Sequence, residues 1–208
     1  AAVMISVTGF GIFGAIHLLP VGLFLLPALA VGGFLLESVL LLETHLATRA
    51  NGPTPADRSG VVAFSLLLAF LGFAGVAALV PGGMVFSIDA ASRAPLELEP
   101  LLTLIVGDAV IGGLLGYRTT TMRTVDTRES IATGFGFAFA MAIASGLLRA
   151  LALPRLVGPA ILTLLFFLWE SLVSTSPGTK RTRRFAWEMG LLVILAVLVI
   201  GLNLSLHA

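Results

Sequence analysis

The sequence predicts an all-α integral membrane protein, a single domain over residues 1–208 built as a bundle of about seven transmembrane helices. Three observations carry that expectation. Hydrophobic residues make up 58% of the chain and the mean hydropathy is +1.07, against roughly 45–50% apolar residues in a soluble domain. Apolar stretches recur at the length that crosses a hydrocarbon core, about 20 residues for about 30 Å. Charged residues are only 11% of the chain and gather between those stretches. A soluble protein would have to expose that apolar surface to water, whereas lipid accepts it without penalty.

Taken in order, the qualifying segments are 2–19, 22–47, 60–80, 100–117, 131–153, 155–174 and 187–206. No hydrophilic loop divides the first two. Their combined length is too great for one span, so a tight turn is expected at Pro20 and Gly22, with Pro27 in the first turns of the second helix, where a missing N–H costs least. A six-span alternative makes residues 1–19 a re-entrant piece. The longest connection, 81–99, is punctuated by Gly and Pro and has room for a surface helix at most. The first segment lacks a basic flank and a cleavage site and is not read as a signal peptide.

Orientation follows from the basic residues, since cytoplasmic loops carry the Lys/Arg excess. Arg49 and Arg58, then Arg118, Arg123 and Arg128, then Lys180, Arg181, Arg183 and Arg184 fall in alternate connections, nine of the twelve basic residues. With seven spans this places the N-terminus in the cytoplasm and the C-terminus outside. One Lys against eleven Arg suggests a GC-rich genome, hence the plasma membrane of a bacterium or archaeon. The run from Lys180 to Arg184 is expected to meet anionic lipid rather than nucleic acid.

Two sets of segments echo each other. Gly9-Phe10-Gly11-Ile12 matches Gly134-Phe135-Gly136-Phe137, and Phe34-Leu35-Leu36-Glu37-Ser38-Val39 matches Phe167-Leu168-Trp169-Glu170-Ser171-Leu172. The order suggests parallel repeats over 1–80 and 131–208 with 100–117 as a linker helix. Such a 3+1+3 layout resembles that of the SWEET sugar transporters and of some membrane-bound carotenoid cyclases. The resemblance is architectural, and no diagnostic motif of either family is present. Small residues four apart, Gly134, Ala138, Ala142 and Gly146 in the fifth segment and Gly112 and Gly116 after Asp108 in the fourth, mark those two helices as the packed centre. The aliphatic stretch from Leu191 to Ile200 is expected to face lipid.

Polar groups at bilayer depth are costly and therefore prompt functional hypotheses. Glu37, Asp108 and Glu170 qualify, one on each of the second, fourth and sixth segments. They are expected to converge with no Lys or Arg at their level, and so to carry protons, bind a cation, or serve as neutral hydrogen-bonding groups. Glu43, Thr44, His45 and Arg49 read as a polar cap at one membrane face. His17 is a weak candidate ligand for a haem or chlorophyll; no other feature names a cofactor, and none is assigned. There is no cysteine, which removes thiol chemistry, iron–sulfur ligation and Cys-zinc sites. No metal-ligand spacing, phosphate loop or nucleophile elbow appears, so no metal or catalytic residue is assigned and an enzyme is the less expected class. Three functions are carried forward. They are a small-molecule or proton/cation-coupled transporter, a non-catalytic integral subunit that meets other membrane subunits, and an enzyme acting on a lipid or isoprenoid, for which Pro95-Leu96-Glu97-Leu98-Glu99 is the loose pointer.

Overall fold

A computed structural model describes residues 2–17, 25–48, 54–81, 96–123, 126–150 and 157–174, together with Gly190. These form six helices and no strand: α1 (Ala2–His17), α2 (Leu25–Thr48), α3 (Pro55–Leu79), α4 (Leu98–Thr121), α5 (Thr127–Ala150) and α6 (Val157–Ser174). Five of them, α2 to α6, are long and apolar enough to cross a bilayer. The chain is a polytopic membrane protein. α1, with 16 residues, rises about 24 Å and falls short of a full hydrocarbon core. The expected turn at Pro20 and Gly22 and the expected seventh span, 187–206, lie outside the described residues apart from Gly190.

Hydropathy locates the apolar middle of each helix, and the helices outrun it at polar ends. α3 starts five residues before the expected 60 because Thr54 and Asp57 form a capping box. The Thr54 hydroxyl accepts from the Asp57 N–H at 3.3 Å, and the Asp57 carboxylate accepts from the Thr54 N–H at 2.8 Å. Pro55 follows at the first helical position, where its missing N–H is harmless. α4 continues through Arg118-Thr119-Thr120-Thr121, and α5 begins at Thr127. The expected loop 118–130 is therefore only a short connection between two antiparallel helices.

α3 is the most enclosed helix, with 56% of its span buried against 17–33% in the other four. It packs on α1, α4 and α6. Its approach to α1 is backbone on backbone: a Cβ on Gly11 would stand 3.0 Å from Leu71, and one on Gly75 would stand 3.2 Å from the Gly11 Cα. The α4–α5 pair is the most extensive contact in the bundle. A Cβ on Gly112 would overlap the Met141 side chain, one on Gly116 the Phe137 ring, and one on Gly113 would stand 3.0 Å from the Ala138 Cβ. The expected pairing of these two helices is seen, but the centre of the bundle is α3.

Inside and outside are sorted as lipid demands. Phe34, Phe135, Phe139 and Leu147 are exposed, while Thr8, Ser65, Ser145, Asp108, Glu43, Arg118 and Glu170 are buried, as are Phe73, Phe137 and Phe166. Lipid offers aliphatic side chains no reason to turn inward, whereas polar groups gain from facing other helices. The residues matched in the sequence echo differ in setting. Gly11 packs against α3 while its counterpart Gly136 has open space, and Glu170 is buried while Glu37 is exposed.

Candidate functional site

The last turn of α4 is a polar run, Arg118 to Thr121, at the end of an otherwise apolar helix. Its hydroxyls are tied locally: Thr120 donates to the Gly116 carbonyl at 2.8 Å and Thr121 to the Arg118 carbonyl at 2.7 Å. That leaves the Arg118 guanidinium for α2. Its Nε and Nη2 each donate to one carboxylate oxygen of Glu43 at 2.8 Å, the bidentate geometry that makes such pairs strong, and its Nη1 donates to the Thr121 hydroxyl at 3.1 Å. Both partners are buried, with side chains 9% and 4% exposed. One turn on, Arg123 pairs with Glu170 of α6, whose other oxygen accepts from the Thr119 hydroxyl at 3.1 Å.

These pairs bring the C-terminal ends of α2, α4 and α6 to one end of the bundle, joined there by the start of α3. A cavity of about 350 Å³ opens at this end, lined by Ser59, Val62 and Leu66 of α3 and by Thr119, Met122 and Arg123. The sequence places each residue by helical period. Glu43 continues the inward row Gly32 and Val39 of α2, and Glu170 continues Leu162 and Phe166 of α6.

Asp108 lies elsewhere. It is 1% exposed, and its Oδ2 accepts from the Ser145 hydroxyl of α5 at 2.6 Å. Eleven residues of α4 separate it from Thr119, about 16 Å along the helix. Along that seam Met141 fills the notch at Gly112 and Phe137 the notch at Gly116. Phe137 packs against Phe166 with ring centroids 5.1 Å apart and the rings tilted by 48°, and both rings are fully buried. The deep acid and the end cluster are thus separated by close-packed apolar side chains.

Of the four residues singled out from sequence, Asp108 and Glu170 are buried, and Glu37 and His17 are exposed. The three acids do not converge: two lie at different levels inside the bundle and the third faces outward from the middle of α2. The expectation that no cation shares their depth fails for Glu170. Arg123 sits beyond the last turn of α4, but its long side chain folds back onto the helix end, as aliphatic stems allow. Arg118, expected in a loop, is a buried helical residue, and Glu43, expected in a surface cap, is its partner. The Gly32, Val39, Glu43 period was the signal that could have placed Glu43 inward. His45 is exposed near the end of α2. His17 and His45 are the described histidines, and no group of three His, Asp or Glu among the described residues could hold a metal. Glu97 and Glu99 are exposed at the start of α4, and Pro95 lies outside the described residues. No protein-family model, curated protein or solved structure matches the chain.

Proposed function

We propose that this polytopic membrane protein is a non-catalytic integral subunit of a larger membrane assembly, oriented with the C-terminal ends of α2, α4 and α6 toward the cytoplasm. One contrast carries the reading. The buried acids of the bundle are engaged from neighbouring helices, Glu43 by Arg118, Glu170 by Arg123 and Thr119, and Asp108 by Ser145. Glu37, mid-span like Asp108, instead stands exposed on α2. Polar groups spent on tying helices together suit a structural module, and a polar group facing outward suits a neighbour. The test is native mass spectrometry after extraction in a mild detergent, with a proteoliposome flux assay on the purified chain. A particle larger than the monomer, and no flux from the chain alone, is the expected outcome. A monomer that dissipates a pH gradient would overturn it.

A second reading, proton- or cation-coupled transport, is favoured by the cavity beside Arg123 and Thr119, which meet Glu170 at that end of the bundle. An acid held by an arginine at a cavity wall could exchange its partner for a substrate cation. Under this reading Glu170→Gln abolishes flux that the unaltered chain supports.

A further inference from the structure

We propose that the outward groove between α4 and α5 holds one anionic phospholipid, with an acyl chain lying along the groove and the phosphate on Arg128. The proposal goes beyond the subunit reading and does not depend on it. The groove is a cavity of about 380 Å³ walled by Val110 and Tyr117 of α4 and by Ile131 and Phe135 of α5. It exists because Gly113 and Gly134 meet across the seam, where a Cβ on either would stand 3.2 Å from the other's carbonyl oxygen. Backbone contact there leaves no side chain to fill the space between the walls. Val110, Ile131 and Phe135 are exposed, so a hydrocarbon chain enters from the side.

Length and charge together select the occupant. From Tyr117 to Val106, its far end on α4, the groove runs about 16 Å along the helix, close to half of a hydrocarbon core of about 30 Å. That is the depth of one leaflet, whereas a transmembrane helix would need a groove twice as long. Arg128 lies about 4.5 Å before Ile131 on α5, on the exposed side that Ile131 and Phe135 share. Its guanidinium stays charged, and among the described residues its side chain makes no hydrogen bond or ion pair. Helical side chains tilt toward the N-terminus, which at the start of α5 is toward the membrane surface, where cations attract anionic headgroups. The neighbouring acids are turned elsewhere: Asp126 caps the helix, accepting from the Arg128 backbone N–H at 2.8 Å, and Glu129 stands about 160° round the axis from Ile131. Tyr117, half-buried, brings a phenol to the same end, the level at which interfacial tyrosines meet headgroups. The apolar stretch 187–206 is a poorer occupant. Residues 180–188 before and at its start carry Lys180, Arg181, Arg183 and Arg184 against one acid, Glu188, so it would bring like charge to Arg128.

The test uses the full chain in mild detergent, offered phosphatidylglycerol or phosphatidylcholine with the same acyl chains, and counts retained lipid by native mass spectrometry. One phosphatidylglycerol per chain is expected to outlast phosphatidylcholine. Arg128 is exposed and the fold does not lean on it, so Arg128→Gln is expected to lower that retention about fivefold without unfolding the protein, and Arg128→Lys to keep it. Arg184→Gln, an equal loss of charge elsewhere in the chain, is expected to leave it unchanged. Phosphatidylglycerol carrying a diazirine near the end of its acyl chain locates the site: after irradiation in detergent, adducts are expected at Val106 and Val110 and not at Phe34, exposed on α2. The subunit reading is judged separately, by particle size and flux, and survives any of these outcomes. Equal retention of the two lipids, an equal loss from Arg184→Gln, or adducts spread evenly over α2, α4 and α5 overturns the proposal. So does a groove without adducts, which would assign it to residues 187–206 or to another polypeptide.

Discussion

Burying Glu43 and Arg118 removes two full charges from water, and their mutual attraction repays that only because the geometry is bidentate and Thr121 takes a further donor. Such a pair is easily broken and poorly replaced by half. Arg118→Ala leaves a buried carboxylate and is expected to destabilise the protein by about 3–5 kcal/mol, whereas Arg118→Met with Glu43→Leu should recover most of the loss. Chemical unfolding in detergent micelles, followed by circular dichroism, separates the two. Asp108 gives a milder case. Ser145→Ala removes the donor to its Oδ2 and should cost about 1–3 kcal/mol, while Asp108→Asn keeps an acceptor for the Ser145 hydroxyl and should cost less. Equal losses would mean that this hydrogen bond is not what holds Asp108. At this scale the sequence was half legible. The buried acids of α4 and α6 could be named from their position in apolar runs. The Arg123 partner of Glu170 and the Glu43–Arg118 pair could not, because both arginines lie near one membrane face in sequence and reach the acids only through side-chain length.

The helices themselves were the most legible feature, since a bilayer allows no other backbone solution for long apolar runs. Their ends were less so, because Thr54 with Asp57 and the polar turn at Arg118 extend α3 and α4 beyond any hydropathy window. The faces followed where small residues set the distance of approach. Glycines are not equivalent in this respect, and position alone does not distinguish them. Gly112 and Gly116 receive Met141 and Phe137, but Gly136, on α5, has open space. Gly112→Leu should therefore overpack the α4–α5 seam and cost about 1–3 kcal/mol or more, and Gly136→Leu should be tolerated. Thermal unfolding of the two purified variants checks this, and comparable losses would show that the seam yields. The enclosure of α3 had no such signal. Its many contacts come from the order in which the helices return to the bundle, which no single segment encodes.

For the molecule as a whole, the charge pattern and the ion pairs concern the same end. Glu43 and Glu170 reach the end of α4 from α2 and α6, so the C-terminal ends of these three helices lie together, and nine of the twelve basic residues fall at or just beyond these ends, within 49–58, 118–128 and 180–184. Inserted membrane proteins retain such an excess in the cytoplasm. Thr48 and Thr127, exposed at the end of α2 and the start of α5, should therefore face inward, and Leu98, exposed at the start of α4, should face outward. With no native cysteine to interfere, Thr48→Cys and Thr127→Cys should resist a membrane-impermeant maleimide in intact cells and react after permeabilisation, while Leu98→Cys reacts from outside. The inverse pattern would keep the bundle and reverse its orientation. Labelling of Thr48→Cys without Thr127→Cys would separate two ends that the Glu43–Arg118 pair holds together, and would count against the fold itself.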